Sequence, residues 1–367
     1  MRSSETHKAN AGASMPTSAE THNFTDCPSE ENLTEPPLDA ASCLFLAILP
    51  NDQTVPPLVC VFLLLTLVSL LVNFPTWLAL ARSEQLSRQP RFTFMKNQIL
   101  CNLIKSATFG TAVIHSLVQR RTMPFSTWCH IQCFIRLTTW FNNRLTIICM
   151  ALERYLFVCH TIHYLVIFTE TCMRKVLTFI WISSITISVI TMVLLHTGEA
   201  QSSGPVTMGL LCEPNMMEQH MGFPRAFAIF HTVMSFWMLE LYLFTFVFSY
   251  YWMYQDPSNA VIPFNEDNKK ARKTVLIDSC MFLMELLPVL LQVISDALWA
   301  FRSPEAMTGR SSQAGDVCTV KPTPGEATAA VLHVPLLMML MVPPCVNPLV
   351  NWLTNVKVRQ ALLSLFR

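Results

Sequence analysis

The chain has 367 residues, of which 52% are hydrophobic and 13% are charged. Soluble domains carry about 25% charged residues, so this balance indicates a protein in contact with lipid. The formal net charge of +1 gives no reason to expect a nucleic-acid partner, and the glycines and serines form no phosphate-binding loop or nucleophile elbow, which excludes the usual soluble enzymes and predicts no cofactor.

Residues 1–56 are rich in Ser, Thr, Glu and Pro. Such a composition buries too little apolar surface to fold alone, so we expect a disordered tail. Both N-glycosylation sequons of the chain lie in this tail, at Asn23 and Asn32. Because this modification takes place on the lumenal side, the sequons indicate that the tail is extracellular.

Seven apolar stretches follow the tail. A helix needs roughly 20 mostly apolar residues to cross a bilayer, and each stretch meets that length. They span residues 57–81, 92–118, 125–158, 176–196, 223–254, 274–301 and 327–353. The second is the least apolar, since several polar residues interrupt it. The pattern predicts an all-α, seven-transmembrane helix bundle over residues 57–354.

Basic residues give an independent indication of orientation. The predicted inner segments contain thirteen Lys and Arg residues and the predicted outer segments contain eight. This bias agrees with an extracellular N-terminus and a cytoplasmic C-terminus. Residues 355–367 place Val358, Leu362, Leu365 and Phe366 on one helical stripe, which predicts a short amphipathic helix along the inner membrane surface.

Several landmarks lie at defined places in these spans. Glu153-Arg154-Tyr155 stands at the inner end of the third span. An arginine there pairs with an acid in one state and swings away in another, although the triplet alone also fits an interfacial anchor. The further landmarks are Cys129, Trp181, Cys212, Pro288 and Asn347-Pro348.

This set resembles the rhodopsin-like (class A) family of G protein-coupled receptors, from about residue 57 to the end of the chain. Three short strings, 151–155, 273–276 and 347–350, resemble fish-type odorant receptors. The resemblance implies a chemosensory receptor of the plasma membrane. Such a receptor binds a small extracellular ligand and activates a heterotrimeric G protein.

The resemblance also implies roles for individual residues. Arg154 becomes the activation arginine, Glu153 its resting partner, and Pro288 the kink about which the sixth helix moves. Cys129 and Cys212 are expected to form the outer disulfide. The remaining candidates are Tyr155, Asn347 and Pro348 in the switch, and Lys269, Lys270, Arg272 and Lys273 as G protein contacts. Simple anchoring at the inner surface is the alternative for the four basic residues.

The chain also departs from the family pattern. Asn102 stands where the family usually has the acid that binds sodium, Leu286 replaces a tryptophan, and Asn351 replaces a tyrosine. Thr161 stands where the second inner loop usually has a proline. The fold is expected to tolerate these changes, but they support an alternative reading as a receptor that binds without signalling.

Arg136 is the candidate ligand-binding residue. It precedes Arg154 by 18 residues, which is five helical turns, and lies about 10 Å below Cys129 along the same helix. A cation within the membrane is a functional candidate, and a guanidinium fits an anionic group such as a carboxylate. Lys105 and Asp296 are the further candidates at the ligand site. The alternative is an internal ion pair between Arg136 and one acid, either Glu240, Glu285 or Asp296.

Charges within the spans also keep a transporter or channel open as a rival reading. The charges are Lys105, Arg136, Arg144, Glu240, Asp278, Glu285 and Asp296. A metal site is not expected, because Cys159, His160 and His163 form no complete ligand set.

Overall fold

The computed structural model describes residues 51–83, 89–123, 126–160, 168–199, 225–255 and 324–365, and some residues between these ranges, including 210–211 and most of 280–291. Regular secondary structure within these residues is entirely helical. The prediction of an all-α protein is therefore confirmed.

Long helices make up most of the described chain. Each of the six longest has between 28 and 33 residues, so each is about 42 to 50 Å long and can cross a bilayer. They are α1 (Val55–Arg82), α2 (Pro90–Gln119), α3 (Thr127–Cys159), α4 (Glu170–Glu199), α5 (Arg225–Gln255) and α7 (Pro324–Thr354). We call α6 the helical segment described between residues 280 and 291, and α8 the short helix Val356–Leu365.

The predicted spans agree with these helices to within three residues at most described ends. The exception is α4, which begins six residues before the predicted span, at Glu170. Its first turns are charged, and Arg174 Nη2 donates to Glu170 Oε1 at 2.6 Å. A hydropathy pattern misses such a turn, because the charges stabilise the helix outside the apolar stretch.

Among the residues that the structure describes, four helices have an apolar segment of membrane-spanning length. These segments are Asp52–Arg82, Glu170–Leu195, Thr232–Trp252 and Val334–Leu353, in α1, α4, α5 and α7. Helices α2 and α3 have the length but a lower average hydropathy, since polar residues such as Asn102 and Asn142 are buried on their inner faces. Polar side chains inside a bundle lower the hydropathy of a helix without exposing it to water.

Helices α1, α2 and α7 are in close contact. A Cβ at Gly110 of α2 would overlap with the side chain of Thr66 in α1, so this crossing requires glycine. Ser69 and Ser106 share a hydrogen bond of 2.6 Å between the same two helices. Asn73 Nδ2 donates to the carbonyl oxygen of Pro344 at 2.7 Å and thereby connects α1 to α7.

The short helix α8 packs against the inner ends of α1 and α2. Val358 is fully buried in a cluster with Leu80, Phe92 and Ile99. Lys357 and Arg359 are exposed. Helix α8 is therefore amphipathic, as the sequence predicted.

Candidate functional site: the polar interior of the bundle

A polar cluster between α2, α3 and α4 has a clear structural role. Trp181 Nε1 donates to Asn97 Oδ1 at 2.9 Å. Asn97 Nδ2 donates to Asn142 Oδ1 at 2.7 Å and to Thr146 Oγ1 at 2.8 Å. We call these four residues the Asn97 cluster. Because both polar atoms of the Asn97 side chain are bonded to neighbouring helices, this residue holds three helices together.

A second polar region lies at the centre of the bundle, around a cavity of about 10 Å³. Helices α2, α3, α6 and α7 supply its wall. We call it the Arg144 cavity. The lining residues are Cys101, Asn102, Lys105, Thr139, Trp140, Asn143, Arg144, Glu285, Pro288, Leu340 and Pro343.

Arg144 is 6% exposed and connects α3 to α6. Its Nη2 donates to the backbone carbonyl oxygen of Glu285 at 2.9 Å. Its guanidinium carbon lies 5.6 Å from the ring centroid of Trp140 and 5.2 Å from that of Tyr242. Aromatic faces at this distance attract a cation, so they stabilise a charge that the lipid would otherwise disfavour.

Glu285 connects α6 to two further helices. It is 3% exposed, and Asn347 Nδ2 of α7 donates to its Oε1 at 2.7 Å. Asn143 Nδ2 of α3 donates to its Oε2 at 3.4 Å. Pro288, one turn further along α6, is buried and lines the same cavity. Three helices therefore meet at one carboxylate, and a movement of α6 requires these bonds to break.

The inner end of α3 carries the Glu153-Arg154-Tyr155 triplet. Glu153 is buried, and Tyr164 donates its hydroxyl to Glu153 Oε1 at 2.8 Å. Burial, followed by the neighbouring Glu153 carboxylate, raises the pKa of Tyr164, so the phenol remains the donor. The sequence did not anticipate Tyr164 as a hydrogen-bond donor to Glu153.

Arg154 lines a second cavity of about 50 Å³, nearer the end of α3 that carries the Glu153-Arg154-Tyr155 triplet. Tyr250 of α5, Asn347 of α7 and Glu285 of α6 line it as well. Asn347 and Glu285 thus lie between Arg154 and the bundle centre. Tyr155 packs its ring 5.2 Å from that of Phe248 and thereby contacts α5. Pro348 is buried within α7.

Arg136 lies in the half of α3 that begins at Thr127. Its guanidinium carbon is 5.5 Å from the ring centroid of Phe109 in α2, and its side chain is partly buried. Lys105 lines the Arg144 cavity, whereas Arg136 does not. Of the acids named as alternative partners of Arg136, Glu240 is exposed on α5. Tyr242, about 160° away around the same helix, is buried, so Glu240 is on the face of α5 opposite to the buried one. Asp296 lies outside the described residues.

Cys129 is fully buried and disulfide-bonded. Its expected partner Cys212 lies outside the described residues, so the pairing stays a prediction. Leu210 and Leu211, which precede Cys212, are buried in the same apolar cluster as Cys129. Ser116 also donates to the carbonyl oxygen of Leu210 at 3.1 Å, which fixes this segment against α2.

Several other expected site residues also lie outside the described residues. They are Asn23, Asn32, Lys269, Lys270, Arg272 and Lys273. Within the described residues, no group of His, Cys, Asp and Glu has the arrangement of a metal site.

Sequence reasoning treated Arg144 only as an isolated membrane charge, considered Glu285 as a membrane charge and an alternative partner of Arg136, and did not consider Asn143 at all. A signal was present, because Asn142, Asn143 and Arg144 are three consecutive polar residues in the middle of an apolar span. Three consecutive residues cover about 200° of the helix circumference, so such a run predicts a polar residue on the inward face. The contact with Glu285 could not be read from it, since it depends on the position of α6.

The geometry defines a membrane-embedded helical bundle with a polar core that joins three helices at Glu285. Residues 51–350 match the family described as 7 transmembrane receptor (rhodopsin family). The match covers well over half of the chain, which therefore belongs to the rhodopsin family of seven-transmembrane receptors. It is accordingly a multi-pass membrane protein with a seven-helix bundle. No curated protein matches the chain.

Proposed function

We propose that this chain is a chemosensory receptor of the odorant type, which resides in the plasma membrane with its N-terminus outside. It binds a small anionic ligand in the outer half of the bundle and activates a heterotrimeric G protein inside. The observation that carries the proposal is the position of Arg136. This cation lies on α3, seven residues inward from Cys129, beside the aromatic ring of Phe109.

The local chemistry supports an anionic ligand. Seven residues of helix correspond to about 10 Å of depth, which a small molecule reaches from the outer opening. The guanidinium of Arg136 offers two parallel N–H donors to a carboxylate, and the Phe109 ring supplies an apolar contact for the remainder of the ligand. An amino acid or another small organic acid has this chemistry.

Helix α6 supplies a route from the ligand to the inner surface. Glu285 holds α6 to α3 and α7 through Asn143 and Asn347, and both Glu285 and Asn347 line the cavity of Arg154. A ligand that shifts α3 relative to α6 weakens these bonds and frees α6 to move about Pro288. Lys269, Lys270, Arg272 and Lys273 then contact the G protein.

A panel of small acids applied to surface-expressed receptor tests the proposal, with cyclic AMP and calcium as readouts. Arg136→Ala is expected to abolish the response to acids while surface expression stays normal. Arg136→Lys is expected to restore part of the response, because an ammonium lacks the planar pair of donors. Arg120→Ala, which removes an exposed outer arginine, is the matched control and keeps the full response.

Two outcomes contradict the ligand role of Arg136. An unchanged acid response in Arg136→Ala shows that another residue binds the ligand. Loss of surface expression in Arg136→Ala, restored by Asp296→Asn, shows an internal ion pair instead.

Failure of every G protein class to exchange nucleotide, despite normal expression and ligand binding, identifies a silent decoy. Ion flux in vesicles that contain no G protein identifies a channel.

A further inference from the structure

The Arg144 cavity contains two buried donors that lack an acceptor. Arg144 Nη1 and Asn102 Nδ2 have no hydrogen-bond partner of good geometry, although the Tyr242 side chain lies beside the Arg144 guanidinium, and the two donor side chains are 6% and 1% exposed. Both residues line the cavity together with Lys105. Leaving a buried donor unsatisfied is unfavourable, and more so when the group is charged. Two such donors around one cavity indicate an occupant that accepts hydrogen bonds.

The charges of the cavity are also unbalanced. Its lining contains two cations, Lys105 and Arg144, and one anion, Glu285. Glu285 already accepts hydrogen bonds from Asn143 and Asn347. Net charge in a membrane interior is costly, so a single negative charge near Lys105 and Arg144 would stabilise the bundle.

We propose that the Arg144 cavity binds one chloride ion, held by Arg144 Nη1, Asn102 Nδ2 and the Lys105 ammonium. A volume of about 10 Å³ accommodates a single small particle and excludes phosphate, sulfate and organic acids. The site is separate from Arg136, which lies eight residues, or about 12 Å, from Arg144 along α3, and it assigns Lys105 to the chloride rather than to the extracellular ligand.

Water is the competing occupant. Asn143 Oδ1 is a buried acceptor without a donor, and a water molecule accepting from Arg144 could donate to it. Water leaves the surplus positive charge in place, whereas chloride neutralises it. The electrostatic difference therefore favours the anion.

The bound ion has a structural consequence. Asn102 belongs to α2 and Arg144 to α3, and Arg144 is bonded in turn to α6 through the Glu285 carbonyl. Chloride therefore joins α2 to the pair α3–α6 at the level where α6 has its proline. Its removal is expected to loosen the bundle there.

Melting temperature in two salts tests the site. The full-length receptor in nanodiscs is heated in sodium chloride and in sodium gluconate at equal sodium concentration. Wild type is expected to melt about 4 °C higher in saturating chloride, the shift that ligand linkage gives for occupancy well above the dissociation constant. The rise should saturate with chloride concentration.

Three variants locate the effect. Arg144→Gln is expected to lose the chloride-dependent rise. Asn102→Asp supplies the negative charge from the chain itself, so it is expected to melt at the same temperature in both salts. Arg120→Gln, far from the cavity on the outer surface, should keep the full rise.

Equal melting temperatures of wild type in the two salts overturn the proposal and identify water as the occupant. A full chloride rise in Asn102→Asp overturns it as well, because chloride then binds elsewhere. If Arg144→Gln does not fold, the isosteric Asn102→Asp variant still decides between these results.

Discussion

The two polar regions of the interior differ in how completely their hydrogen bonds are satisfied. In the Asn97 cluster, Trp181 donates to Asn97, which in turn donates to Asn142 and Thr146, and one donor of the cluster, Asn142 Nδ2, has no partner. In the Arg144 cavity, donors of Arg144 and Asn102 remain without acceptors. The first region connects α2, α3 and α4, and the second lies where α6 meets α3 and α7.

This difference distinguishes buried polar residues that stabilise the fold from buried polar residues that have a functional role. The Asn97 amide, whose oxygen and nitrogen both bond to neighbouring helices, stabilises the fold without an occupant. Buried donors without acceptors have a cost that persists only if an occupant or a conformational change offsets it. The contacts of Asn97 with α3 and α4 are therefore the fixed part of the interior, and the contacts of α6 with α3 and α7 are the part able to respond.

The largest expected effect concerns Asn97. Asn97→Leu removes three hydrogen bonds and leaves the Trp181 N–H without an acceptor, so the free energy of unfolding should fall by roughly 2 to 4 kcal/mol. Melting of the purified receptor in nanodiscs measures it. Thr111→Ala is the control, because that exposed hydroxyl bonds only within its own helix. An unchanged melting temperature in Asn97→Leu would remove the structural role of the cluster.

The next effect concerns the crossing of α1 and α2. Gly110→Val places side-chain atoms where Thr66 already lies, which should cost about 1–3 kcal/mol and reduce surface expression. Thr66→Ala alone should have little effect, since its hydroxyl bonds to Phe62 of the same helix. The double variant should recover part of the loss. Equal damage in the single and double variants would mean that Thr66 is not the obstacle.

Arg144 should give a smaller effect than Asn97, although it is charged and equally buried. Arg144→Leu, measured in gluconate, loses one bond to the Glu285 carbonyl but also removes an unsatisfied buried donor. We expect a change of about 1 kcal/mol or less in the free energy of unfolding. A loss as large as that of Asn97→Leu would show that the cavity is as tightly bonded as the Asn97 cluster.

The smallest effect is expected at the outer surface. Arg120 and Asp52 form an ion pair of 2.7 Å, but their side chains are 55% and 59% exposed. Arg120→Gln should change the free energy of unfolding by less than about 0.5 kcal/mol, because water screens the pair. Melting at low and high salt checks it. A loss above 1 kcal/mol that disappears at high salt would contradict the estimate.

The helices and their order could be predicted because membrane insertion depends on local composition. An apolar stretch such as 57–81 must become a helix in lipid, whatever its neighbours are. The second span shows where this reasoning weakens, since Asn97, Gln98 and Asn102 lower its hydropathy. All three are buried, so the same residues that obscured the span contribute to the polar interior.

The candidate site was predicted only in part. Family landmarks indicated Arg154, Pro288 and Asn347, and helix depth indicated Arg136. The contacts of Glu285 were not predictable, because they join residues 62 and 142 positions apart. Nor was the hydrogen bond from Tyr164 to Glu153, which depends on how the chain turns after α3.

The sequence alone determined that the chain is a membrane-embedded helical bundle, where its spans lie, and which polar residues lie within them. Each follows from the transfer of single residues between water and lipid, which is a local property. Only the tertiary structure decided that Asn97 is satisfied while Asn102, five residues later on α2, is not. Hydrogen bonding in a dry interior depends on which atoms lie within about 3 Å, and helix packing sets that distance.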